Sequence, residues 1–133
     1  MELFKKIVSQ YPLTDQITPD TALFRVLKKR FVLFQETQVD KQNIKAVLDE
    51  TKSTIDRLNI PGWRTVVVVA PTQDSFESDE LFYFDNVNTF VVFYLIDEQK
   101  KRVYMNDSWI FALGMNYKKV VRKINEIVKE YFA

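Results

Sequence analysis

The sequence predicts an α+β fold: a four-stranded, largely antiparallel sheet, preceded by two or three helices and followed by a long amphipathic C-terminal helix. Three observations carry this. Residues 65–70 (Thr-Val-Val-Val-Val-Ala) and 89–96 (Thr-Phe-Val-Val-Phe-Tyr-Leu-Ile) are β-branched and aromatic runs without polar alternation, as strands covered on both faces require. Tyr117, Val120, Val121, Ile124, Ile127, Val128 and Tyr131 form one apolar stripe at helical spacing. Ile60-Pro61-Gly62 is the strongest internal break and divides a segment read as helical from a strand-rich one. At 133 residues the chain is expected to fold as a single domain spanning residues 1–133.

Taken in order, Leu3, Phe4, Ile7 and Val8 suggest a short first helix, ended by Tyr11-Pro12. Residues 12–18 read as a loop. Thr18 as cap, Pro19 at the first helical position and Asp20 beside the dipole predict a second helix, with Leu23, Phe24, Leu27 and Phe31 on one face. The run Phe31-Val32-Leu33-Phe34 is apolar throughout, so periodicity leaves helix and strand open there, with helix preferred. Ile44, Val47, Leu48, Ile55 and Leu58 predict a helix over residues 41–58, capped by Asp40. Strands are expected at 65–70, 81–84, 89–96 and 101–106, the last an edge strand by its alternation. Residues 72–79 form an acidic loop, 85–88 a turn, and 116–132 the final helix, approached through Gly114 in a left-handed conformation. Val66, Val68, Phe90, Val92, Phe93, Val120, Ile124 and Ile127 are the expected core.

Composition excludes several chemistries. The chain has no cysteine and no histidine, which removes disulfides, thiol nucleophiles, thiolate metal sites and the side chain that titrates near neutral pH. The only glycines are Gly62 and Gly114, too few for a phosphate-cradling loop. No cofactor is expected. No apolar run reaches the roughly 18 residues of a membrane span. The N-terminal Met1-Glu2-Leu3-Phe4-Lys5-Lys6 does not open a signal peptide, so the expected setting is cytoplasmic with no membrane partner.

Charge is balanced in sum and segregated in place. The net charge is +1, yet residues 65–99 contain seven acids (Asp74, Glu77, Asp79, Glu80, Asp85, Asp97 and Glu98) and no Lys or Arg. Residues 100–133 carry eight basic groups against three acids. Aromatic residues make up 14% of the chain, more than a core of this size must absorb. Trp63 and Trp109 both sit at element junctions, and Phe82-Tyr83-Phe84 follows the acidic loop.

These features predict a non-catalytic protein-binding domain, such as a small inhibitor, an immunity-type protein or an adaptor. Asp74, Glu77, Asp79 and Glu80 would steer a basic protein partner, while Trp63 and Phe82 supply a desolvated centre. A sheet face left uncovered by the helices would offer a homodimer contact.

Two alternatives stand beside this reading. Asp85 with Glu98-Gln99-Lys100 resembles the Asp…Glu-x-Lys pattern of restriction-like nucleases. That resemblance implies a metal-dependent phosphodiesterase, although in that family the pair lies within a strand, whereas Glu98 and Lys100 fall in an expected turn. The basic final helix, through Lys118, Lys119, Arg122 and Lys123, would give weak nucleic-acid binding, which the net charge disfavours.

Overall fold

The computed structural model describes residues 1–85 and 88–133, with Leu27 by its backbone. The expected turn at 85–88 therefore lies partly outside the described residues, at Asn86 and Val87. The elements run α1 (Glu2–Val8), β1 (Asp15–Thr18), β2 (Thr21–Leu27), β3 (Arg30–Glu36), α2 (Ile44–Leu58), β4 (Trp63–Pro71), β5 (Phe82–Phe84), β6 (Thr89–Asp97), β7 (Arg102–Tyr104) and α3 (Met115–Glu130). Short 3-10 turns occupy Ser78–Leu81 and Trp109–Ala112.

The α+β class holds, but the sheet is seven-stranded and mixed, in the order β1-β2-β3-β4-β6-β5 with β7 also on β6. β3, β4 and β6 run parallel, and the remaining pairs are antiparallel. The helix expected over 18–34 is instead the hairpin β2–β3. Ala22 faces Phe34 and Phe24 faces Val32 across it, with Leu23 opposite Leu33 on the other face. Both faces of this hairpin are packed, so the period of two is hidden by apolar residues at successive positions. The expected helix start at Thr18, Pro19 and Asp20 is a tight turn. Pro19 and Asp20 join β1 to β2, the Asp20 N–H donating to Thr18 Oγ1 at 3.2 Å.

The sheet is sandwiched, and this answers the question of the second face. Leu3, Phe4 and Ile7 of α1 and Tyr117, Val121, Ile124 and Val128 of α3 pack with Val32, Phe34, Val67, Val69, Phe90, Val92, Tyr94 and Ile96. On the opposite face, Val47 and Ile55 of α2 pack with Leu33, Val66, Val68, Ala70, Val91, Phe93 and Leu95. Helices of the chain itself thus pack on both faces of the sheet among the described residues. Of the expected core, Val66, Val68, Phe90, Val92, Phe93 and Ile124 are buried, whereas Val120 and Ile127 are half-buried at the margin.

Local chemistry sets the helix ends. Asp40 Oδ1 accepts the N–H groups of Gln42 and Asn43, each at 2.8 Å, and this turn delays α2 to Ile44. Asn59 closes α2 in the left-handed region, with φ of 52°. Gly114, expected to be left-handed, is extended at φ −63° and serves as the N-cap of α3. Among the described residues no helix is long and apolar enough to cross a membrane.

Candidate functional site: an aromatic groove

Gly62 sets the position of the site. Its φ is +71°, and a Cβ there would lie 2.2 Å from the Lys29 carbonyl oxygen. Only glycine fits. The close approach lets the Trp63 N–H donate to that same carbonyl at 2.8 Å, which puts β4 in register with Arg30 opposite Trp63. On the other side of β4, Arg64 donates to the Ile60 carbonyl at 2.9 Å, to Asn88 Oδ1 at 2.8 Å and to Thr89 Oγ1 at 2.8 Å, fixing the start of β6.

Side-chain alternation then turns Trp63, Phe82, Phe84 and Phe90 to the α3 side of the sheet. Phe90 is the buried floor. Phe84 stacks on it at 4.6 Å and 13°, Phe82 at 5.8 Å and 9°, and Trp63 at 6.1 Å and 24°. Ala112, Leu113 and Gly114 form the facing wall, and Arg30 and Tyr117 close one end, leaving a groove of about 440 Å³. The Tyr117 hydroxyl donates to the Phe31 carbonyl at 2.6 Å and holds α3 on β3; burial raises its pKa. Trp63 is 39% exposed, Phe84 42%, Phe111 74% and Met115 78%, the large apolar side chains left open among the described residues. Trp63 and Phe84 line the groove, Phe111 immediately precedes its wall and Met115 follows it.

Trp63 and Phe82, two residues expected from the sequence, thus meet in one place. The four carboxylates do not join them. Their loop packs on the α2 face, where Phe76 and Leu81 enter the core. Asp74 Oδ2 accepts the Lys41 N–H at 2.7 Å, and Glu80 pairs with Lys41 Nζ at 2.8 Å. The same ammonium lies 4.6 Å from the Phe76 ring centre. The Lys41 side chain and the Glu77 N–H hold Glu80 below the usual glutamate range. Glu77 and Asp79 remain exposed. The other junction tryptophan, Trp109, is buried and donates to the Tyr94 hydroxyl at 2.7 Å.

The alternative sites fare differently. Asp85 and Glu98 flank opposite ends of the nine-residue strand β6, so roughly 30 Å separates them at about 3.3 Å per residue. Asp85 and Glu98 are therefore not brought together in one site. Asp85 instead accepts the N–H groups of Asn88 and Thr89. Among the described residues no group of three or more acidic ligands gathers. The basic helix face is divided: Lys123 donates to the Gln10 carbonyl at 2.6 Å, while Lys118 leans over Phe111 at 4.9 Å.

Asp20, in the turn between β1 and β2, lies beside Glu36 at the end of β3. The Glu36 N–H donates to the Asp20 carbonyl at 2.9 Å, and both residues line a cleft of about 230 Å³ with Glu50 and Thr51 of α2. Glu36 Oε1 accepts from the Met1 amino group at 3.0 Å. Glu36-Thr37-Gln38 places glutamine where the nuclease pattern has lysine.

Sequence reasoning missed Arg30, Leu113, Phe111 and Met115. Residues 109–115, Trp-Ile-Phe-Ala-Leu-Gly-Met, form an apolar run with no helical or strand period, and this was the available signal for a surface patch. Compared with known proteins, the chain matches no family model, and no curated protein is similar to it at a significant level.

Proposed function

We propose that this chain is a non-catalytic protein-binding domain, of the inhibitor, immunity or adaptor kind, whose contact is centred on the aromatic groove. One observation carries the reading: of the four exposed large apolar side chains among the described residues, Trp63 and Phe84 line a single groove, and Phe111 and Met115 flank its wall residues Ala112, Leu113 and Gly114 in sequence. Singly scattered apolar residues are ordinary on a surface; a patch around a concavity marks a contact. Rigid aromatic anchors in a packed surround are the usual centre of binding energy. The acidic loop contributes to the field around the domain, and half of its carboxylates are already engaged by Lys41.

The test uses the chain as bait, with the captured protein then purified and its affinity measured. A Trp63→Ser, Phe84→Ser double variant is expected to weaken binding by at least about 2 kcal/mol. Glu77→Lys with Asp79→Lys is expected to change mainly the association rate. Loss of binding in the charge variant alone would refute the groove reading.

A second reading, metal-dependent phosphodiester hydrolysis, would use Asp20 of the β1–β2 turn and Glu36 at the end of β3, which share a backbone hydrogen bond and line one cleft. Two carboxylates can hold a divalent cation, but Gln38 cannot supply the positive charge that lysine gives to a developing anion. Manganese-dependent cleavage of DNA that is abolished by Glu36→Gln would establish this reading; no cleavage by the purified chain would dismiss it.

A further inference from the structure

The groove carries charge as well as apolar surface. Arg30 lines it. Lys28 and Lys29 form the turn between β2 and β3, against which Trp63 is hydrogen-bonded. Lys118 of α3 lies over the ring of Phe111, the residue before the wall. The Arg30 guanidinium lies 5.9 Å from the Tyr117 ring centre, a contact that orients a cation without neutralising it. The ion pairs of the described residues join Met1 to Glu36, Lys41 to Glu80 and Lys129 to Asp107, none of them at the groove. The nearest acid in sequence, Asp85, follows Phe84 and gives one carboxylate oxygen to two backbone amides.

Resting on the reading of this groove as a protein contact, we infer that its occupant is an acidic peptide segment carrying an aromatic anchor. The exposed rings of Trp63 and Phe84 accept a flat ring in the offset arrangement that aromatic pairs prefer. Arg30 in the lining, with Lys28 and Lys29 in the adjoining turn and Lys118 near Phe111, favours Asp and Glu beside the ring, and complementary rim charge raises the association rate and fixes register. Single-stranded nucleic acid would also stack and carry negative charge. It needs a basic track longer than this rim, and a total charge of +1 gives little counterion release.

Tryptophan emission reads the groove directly, because Trp63 is open and Trp109 is sealed in the core. The full chain would be titrated with a peptide of about ten residues bearing one central Phe flanked by Asp and Glu. A Lys-flanked version, a Ser-for-Phe version and an oligothymidylate of similar length serve as comparisons. The acidic aromatic peptide is expected to shift the emission to the blue. Either peptide change should weaken binding at least about tenfold, as should Lys118→Glu, and high salt should slow association. Arg30→Glu is expected to act in the same direction; Lys118→Glu, at a half-buried position of α3, carries the test if Arg30→Glu unfolds, and circular dichroism verifies the fold of both. Equal binding of the Lys-flanked peptide, tighter binding of the oligothymidylate, or no response to the acidic peptide would overturn the inference. A protein captured through Trp63 and Phe84 by a neutral or basic segment would overturn it while leaving the protein-binding reading intact.

Discussion

Trp63 on β4 and Phe84 on β5 stack with ring centres 6.4 Å apart and planes within 16° of parallel, although β6 lies between their strands. Phe90 of β6 sits under both rings. The relationship depends on Gly62, which brings β4 against the β2–β3 turn, and on the pairing of Phe84 with Phe90 that sets β5 in register. An open aromatic stack is therefore built on three strands of a rigid sheet, and its geometry does not rely on a loop.

The close approach at Gly62 makes a sharp contrast between the two glycines. Gly62→Ala is expected to destabilise by more than about 1 kcal/mol, because it forces a Cβ into the Lys29 carbonyl at positive φ. At Gly114, where nothing lies within 4 Å of an added Cβ, the same change should cost no more than about 1 kcal/mol, from poorer capping. Urea unfolding of both variants checks the difference. Equal midpoints would remove the argument for how Trp63 is placed.

Ile124 is fully buried between α3 and the sheet. Ile124→Ala is expected to destabilise by about 2–5 kcal/mol. Val120, half-buried on the same helix, should tolerate alanine better. Denaturant midpoints of the two variants measure this, and an unchanged midpoint for Ile124→Ala would contradict the packing.

Alkaline titration probes the sandwich from within. Burial pushes the hydroxyls of Tyr11, Tyr94 and Tyr117 well above the ordinary tyrosine range. The folded pKa exceeds the unfolded one, so this stability is fully present below about pH 10 and is lost as pH rises beyond it. Tyrosinate absorbance should show fewer than six ionised tyrosines before the alkaline unfolding transition. All six ionising in the folded state would refute the burial.

At the acidic loop the sign is reversed. Glu80 is held below the glutamate range by Lys41, so its contribution is present above that range and fades as pH falls through the folded value. Lys41→Met is expected to raise the Glu80 titration toward the ordinary value, read by carboxyl-carbon NMR. An unaltered titration would show that the loop is not tied to α2.

Much of the second half of the fold was legible in the sequence. Val66 to Val69 and Phe90 to Ile96 had to be strands because both of their faces are covered, and the stripe from Tyr117 to Val128 could only pack as a helix. The same physics hid β2 and β3. With Ala22 and Phe34 on one face and Leu23 and Leu33 on the other, apolar residues recur at helical spacing by coincidence, and no glycine marks the Lys28-Lys29 turn. Parallel pairing was not legible, since it arises from the crossover through α2. In the groove, Trp63 and Phe82 could be named from their positions. Arg30 could not, because its proximity to Trp63 comes from parallel pairing. Nor could the separation of these aromatics from Asp74, Glu77, Asp79 and Glu80, which depends on which sheet face the loop after β4 covers.

Site-specific photo-crosslinking separates the groove from the acidic loop as the contact surface. A benzophenone amino acid would be placed at Phe111, beside the groove, or at Asp79, in the acidic loop on the opposite face, and irradiated in the native cell extract. The account predicts a protein adduct from position 111 that Trp63→Ser abolishes, and none from position 79. A protein adduct from position 79 with none from position 111 would contradict it.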